Sequence, residues 1–148
     1  VYKSGQEIQE ELVKRGFYLV GNYHGAWLYN FSHLITAFKL EPDPACCGHS
    51  LLSGFTFDRT FKKEEMEAIN IFMHIIPFMP AAPFMSWTLS THDQKYMVKW
   101  SKAIGAKLLH EWMGIHGTKV AMFGIEKKEN AYVIGRPSPE TLAKFQKK

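Results

Sequence analysis

Phe84-Met85-Ser86-Trp87-Thr88-Leu89-Ser90-Thr91-His92-Asp93-Gln94 opens a run, ending at Ile125, that decides the fold of this chain. Residues 84–89 form an apolar stretch with a Trp and a Thr, suited to a buried strand. Thr91-His92-Asp93-Gln94 predicts a capping box, the Thr hydroxyl taking the N3 amide while Gln94 reaches back. Asp93 adds negative charge where the helix dipole favours it. Tyr96, Met97, Trp100, Ala103 and Ile104 recur at spacings of three and four and predict one apolar helix face. Gly105 supplies the left-handed residue that ends the helix. Lys107–Trp112 and Lys119–Glu126 then predict two strands joined by Gly114-Ile115-His116-Gly117-Thr118.

Upstream, Ser4-Gly5-Gln6-Glu7 is a second capping-box pattern, and Ile8, Leu12 and Val13 give its helix an apolar stripe that stops at Gly16. Residues 17–20 and 26–30 predict two strands around a Gly21-Asn22 turn. His33–Leu40 predicts a third strand, and Glu41-Pro42-Asp43-Pro44 a loop. His49–Phe57 predicts a strand containing Gly54. Met66, Ile69, Phe72, Met73 and Ile76 predict an amphipathic helix that ends before Pro77. The tail after Tyr132 carries two prolines and a short helical pattern over 139–147. The strands near 50–57 and 84–89 are joined through the helix near 63–76, a crossover that makes them parallel. The expected fold class is α/β, a single mixed sheet flanked by helices, in one domain over residues 1–148.

Bulk properties narrow the function classes. The 148 residues are 46% hydrophobic and 22% charged, ordinary for a globular domain. No apolar run reaches the length of a membrane span, and no secretory signal is visible. The net charge of +4 is spread over scattered lysines, the densest being Lys62-Lys63, Lys127-Lys128 and Lys147-Lys148. A nucleic-acid binder concentrates its basic residues in a stripe, so solvated lysines are the favoured reading. Cys46 and Cys47 are adjacent, too close for a relaxed bridge; two thiols in a reducing, cytoplasmic compartment is the expectation. The seven histidines show no paired metal-ligand spacing, and no metal site is expected. His116-Gly117-Thr118 fits half of a two-histidine phosphoesterase pattern whose nearest partner is His49-Ser50-Leu51. Trp27, Trp87, Trp100 and Trp112 fall at expected core positions; any left exposed in a patch would mark a protein interface.

The element order and the module at its end resemble the GNAT superfamily of acyl-CoA N-acyltransferases. The residues that carry the resemblance are Trp100-Ser101-Lys102-Ala103-Ile104-Gly105-Ala106 and the hairpin that follows. The same module resembles a small GNAT-like internal virion protein of short-tailed phages, through Ile104-Gly105-Ala106, Glu111 and Phe123-Gly124-Ile125. The resemblance implies transfer of an acetyl or other acyl group from acyl-CoA to an amine. It places the CoA pyrophosphate at the turn Asp58-Arg59-Thr60-Phe61-Lys62-Lys63, with Arg59, Thr60, Lys62 and Lys63 as candidate contacts. Gln94 and Ser101 stand where many family members have an Asn and a Tyr, and are further candidate cofactor contacts. Asp58, at the expected strand end, and His92, at the mouth of the late helix, are the candidate bases, and Tyr96 the candidate acid. Each has an ordinary structural role beside the chemical one: Asp58 as a cap, His92 as an exposed first-turn residue, Tyr96 as core. The turn has no glycine to let a phosphate approach the backbone, and Glu64 and Glu65 oppose an anion there. These departures support an alternative, a non-catalytic virion or interaction protein of the same fold whose partners are other virion proteins.

Overall fold

A computed structural model of the chain describes residues 2–30, 33–43, 48–51, 60–79, 84–127, 140 and 143. The predicted strand beyond residue 51, the predicted tail helix, and Asp58, Arg59, Cys46 and Cys47 lie outside them.

The first helix, α1 (Gly5–Lys14), is capped at Ser4, whose hydroxyl accepts from the Glu7 amide at 3.4 Å. It ends at Gly16 (φ 88°), where the Phe17 amide returns to the Leu12 carbonyl and the Gly16 amide to Val13. This pair of bonds closes the orphan carbonyls of a helix end. Gln9, buried on α1, clamps the next strand by donating to the Leu19 carbonyl and accepting from the Leu19 amide.

β1 (Tyr18–Asn22), β2 (Gly25–Asn30) and β3 (His33–Asp43) form an antiparallel meander. The β1–β2 turn falls at Tyr23-His24, two residues later than the Gly21-Asn22 expected from composition. Asn22 still acts in it, its side-chain oxygen accepting from the His24 amide at 2.7 Å. β3 runs through Glu41, Pro42 and Asp43, where a loop was expected. β2 covers β3 only as far as Lys39, so among the described residues Pro42 lies where one side of the strand has no partner and a missing N–H is tolerated.

β4 (Gly48–Leu51) pairs antiparallel with β3 and parallel with β5 (Phe84–Ser90). Between them comes α2 (Lys63–Met73), followed by a short 3-10 turn over Ile76–Phe78. The α-helix stops three residues before the expected Ile76. Pro77 has no N–H to give the Met73 carbonyl, and its ring crowds that turn. After β5 come α3 (Lys95–Ala103), β6 (Lys107–Met113) and β7 (Lys119–Glu126). Among the described residues the strands make one seven-stranded sheet in the order β1-β2-β3-β4-β5-β7-β6, the expected mixed α/β class with its parallel crossover.

Register carries one face across the sheet. Leu19, Leu28, Thr36, Phe38 and Leu40 continue into Met85, Trp87 and Leu89, then Ala121, Phe123 and Ile125, all buried. The helices cover this face: Phe38 meets Phe72 of α2 at 5.6 Å between ring centroids, and Trp87 meets Trp100 of α3 at 5.8 Å. Tyr18 and Tyr29 stack at 5.3 Å on the other face. Within the core, Thr36 is 4% exposed and its buried hydroxyl has no hydrogen-bond partner among the described residues. A buried unpaired hydroxyl costs about 1–3 kcal/mol. Thr36→Val is therefore expected to raise the thermal midpoint by a few degrees; a lowered midpoint would show that the hydroxyl is satisfied in solution.

Candidate functional site

β4 and β5 pair at His49 with Met85 and at Ser50 with Ser86. β5 continues four residues further, to Ser90, and its other side stays paired with β7 along its whole length. Among the described residues, then, the β4 side of Trp87–Ser90 has no strand partner. The two segments that follow this parallel pair, residues 60–62 and 91–94, lead into α2 and α3. Among the described residues they frame an opening at this end of the parallel pair, the position at which open α/β sheets bind ligands.

On the α2 side, Thr60, Lys62 and Lys63 are exposed. The first turn of a helix carries amides without intrahelical acceptors, a natural seat for an anion. Glu65, three residues into the turn, accepts from the Lys62 amide at 2.9 Å. Half of a capping box is thus formed by the chain itself, and this amide is occupied by a carboxylate. Glu64 adds a second negative charge in the same turn.

On the α3 side the expected capping bonds form one residue earlier, in the turn before the helix, whose own N-cap, Gln94, has no side-chain cap bond. Ser90, not Thr91, holds the turn: its hydroxyl accepts from the Asp93 amide at 3.4 Å and meets the Asp93 carboxylate at 3.1 Å. Gln94 does reach back, but to the Ser90 amide at 2.8 Å. Thr91 is used elsewhere, donating to the Lys119 carbonyl at the start of β7. That tie to the neighbouring strand prevents Thr91 from capping, and the helix starts only at Lys95. Gln94 is thereby bound within its own turn. His92 is exposed at the mouth of this turn.

Tyr96 is 37% exposed rather than part of the apolar face; Met97, Trp100, Ser101 and Ile104 form that face. The Tyr96 hydroxyl donates to Asn70 of α2 at 2.8 Å, bridging the two helices beside the opening. Partial burial raises its pKa above the usual tyrosine value, so it keeps its proton. Ser101 is fully buried. Its hydroxyl accepts from Trp87 Nε1 at 2.8 Å and donates to the Met97 carbonyl at 2.8 Å, so it faces the sheet and not the opening. Thus Thr60, Lys62 and Lys63 lie at the start of α2, His92 and Gln94 in the turn before α3, Tyr96 bridges the two helices, and Ser101 is buried against the sheet. Sequence reasoning missed Asn70 and Ser90. The signal for Ser90 was the Ser-x-x-Asp spacing; a lone Asn on a helix gives none.

Other candidates separate. His49 sits on β4 opposite the start of β5, whereas His116 lies in the β6–β7 turn. Three strand spacings, about 14 Å, part β4 from β6 in the sheet order, so a two-histidine cleft does not form. A cavity of about 560 Å³ opens at the far end of the sheet, near Tyr2, Phe78, Ile104 and Ile125, away from the ends of β4 and β5 that meet the opening. No described helix is long and apolar enough to cross a membrane.

A seven-stranded mixed sheet with one parallel pair in its middle, each strand of that pair leading into a helix, defines a class of mixed α/β folds. The chain has the GNAT fold. It superposes on a GNAT-family acetyltransferase from Bacillus cereus with a TM-score of 0.56 and 9% identity, covering 72% of each chain. It superposes on the aminoglycoside 6'-acetyltransferase type Ii with a TM-score of 0.51 and 10% identity, covering 86% of this chain and 76% of the other. No protein-family model and no curated protein matches the sequence.

Proposed function

We propose that the chain is an N-acyltransferase that moves an acetyl or other acyl group from acyl-CoA to an amine. The observation that carries this reading is the opening beside β5, where among the described residues β4 pairs only with Met85 and Ser86, set in a fold shared with the acetyltransferases on which the chain superposes. The thioester arm lies along the β4 side of Trp87–Ser90, and the pyrophosphate sits at the start of α2 against Thr60, Lys62 and Lys63, with Arg59 a further candidate contact. The amine nitrogen attacks the thioester carbonyl, forming the C–N bond as the C–S bond breaks. Asp58 or His92 takes the amine proton, directly or through water. The CoA thiolate takes a proton at sulfur; Tyr96 supplies it only after its hydroxyl leaves Asn70.

A second reading, a non-catalytic interaction protein with this fold, draws on Glu65. Its carboxylate already holds an amide of the α2 N-terminus, and no glycine stands among Thr60–Lys63. The likeness to a phage internal virion protein rests on its short motifs alone. One titration separates the readings. Acetyl-CoA at about 100 times its dissociation constant stabilises the folded chain by about 2.7 kcal/mol. For a chain of this size that is a rise of roughly 5–10 °C in thermal midpoint. No rise at millimolar acetyl-CoA removes the transferase; a rise abolished by Lys62→Glu with Lys63→Glu supports the placement of the pyrophosphate.

A further inference from the structure

α2 and α3 cover the same face of the sheet. Each is anchored there by its own buried stripe: Ala68, Ile69, Phe72 and Met73 on α2, Met97, Trp100 and Ser101 on α3. Phe72 meets Phe38 of β3, Trp100 meets Trp87 of β5, and Ser101 accepts from the Trp87 indole. Asn70 and Tyr96 lie off these stripes and are exposed. Between them runs a hydrogen bond of 2.8 Å, from the Tyr96 hydroxyl to Asn70 Oδ1, across 26 residues of sequence. Helices already held by buried faces gain little from it. A neutral side-chain bond is worth only a part of what burying one Phe or Trp contributes.

Its position gives the bond another use. Thr60, Lys62 and Lys63 stand at the start of α2, and Trp87–Ser90 of β5 leads into α3. A ligand that reaches from the one to the other spans the interval between the two helices. A bond of 2.8 Å closes that interval where it crosses, because the atoms of a passing chain need about 3.5–4.0 Å from each wall. The hydroxyl also has a single proton to donate. While that proton is held by Asn70 it is not given to a ligand sulfur. Asn suits a bond that has to open. Its amide oxygen is a neutral acceptor, and a carboxylate in its place would hold the hydroxyl about twice as strongly.

We propose that Asn70 is a positioning residue that latches Tyr96 across the gap between α2 and α3, and that acyl-CoA binds as this latch opens. The latch rests on the transferase reading, since acyl-CoA is the ligand that opens it. Latched molecules do not bind, so the affinity is lowered by the share of chains in that state. For a neutral hydrogen bond of ordinary net strength the reduction is about two- to tenfold.

Isothermal titration calorimetry of the full chain with acetyl-CoA tests this. Asn70→Ala removes the acceptor and is expected to lower the dissociation constant by about two- to tenfold. Asn70→Asp strengthens the latch and is expected to raise it by about fivefold or more. Both are measured again in the Tyr96→Phe background, which has no hydroxyl to latch. There Asn70→Ala is expected to leave the constant unchanged, and Asn70→Asp to keep only the repulsion between its charge and the phosphates. Far-ultraviolet circular dichroism establishes that the variants fold. A bond that merely supports the fold lowers the thermal midpoint of Asn70→Ala without tightening acetyl-CoA, and that result overturns the latch alone. Tighter binding that persists in full in the Tyr96→Phe background overturns it too. A wild-type chain that binds no acetyl-CoA at millimolar concentration removes the transferase reading and the latch together.

Discussion

Gly25→Ala is expected to cost about 2–4 kcal/mol, seen as a drop of roughly 5–15 °C in thermal midpoint. Gly25 begins β2 at φ 151°, and a Cβ there would lie 2.2 Å from the Phe38 carbonyl oxygen. That oxygen belongs to the backbone of the paired strand and cannot swing aside as a side chain would. The β2–β3 ladder must separate at its end, next to the point where the Leu40 amide bonds the His24 carbonyl. Gly105→Ala is the control. Gly105 also has positive φ, 91°, but a Cβ there meets no heavy atom within 4 Å. Its substitution carries only the left-handed strain of an L-residue, about 1 kcal/mol. Equal losses at the two sites would show that backbone conformation, and not contact with β3, decides the cost at Gly25.

Trp87→Ala is expected to be more damaging, about 3–5 kcal/mol in denaturant unfolding. Trp87 is 5% exposed and packs against Trp100 of α3 and Phe123 of β7, so the truncation opens a cavity between helix and sheet. Part of the loss comes through Ser101. Ser101→Ala leaves the buried Trp87 N–H without an acceptor, a penalty of about 1–3 kcal/mol. In Trp87→Phe the Ser101 hydroxyl still donates to Met97, so the indole bond is lost at a cost nearer 1 kcal/mol. Combining Trp87→Phe with Ser101→Ala should cost less than the sum of the two by about 1 kcal/mol, because the orphaned donor is gone. Strict additivity would mean that the indole and hydroxyl are not bonded in solution. The same bond bears on function, since Trp87 lies on the stretch of β5 beside the opening and Ser101 holds it to α3.

Much of the site's framework was legible in the chain. Gly16 and Gly105 each mark a helix end because the left-handed turn there needs a residue without Cβ. The parallel crossover followed from a strand, a helix and a strand in order. The bonds expected from Thr91 form instead at Ser90, in the turn before α3, because the Thr91 hydroxyl is taken by the Lys119 carbonyl, 28 residues away. Tyr96 was expected among the apolar residues of α3 because its spacing fits. Its hydroxyl instead reaches Asn70 on another helix, a partner that no local pattern indicates.

Local physics is written into the sequence alone: where turns need glycine, which side of a helix is greasy, and that two strands joined through a helix run side by side. These depend on residues a few positions apart, within reach of backbone sterics and helical or strand periodicity. Only the assembled tertiary structure decided the order of the described strands in the sheet, which strands flank β5, and which hydroxyls were spent on distant carbonyls. Those outcomes turn on contacts between segments far apart in the chain, where many pairings compete and packing of the whole sheet selects among them.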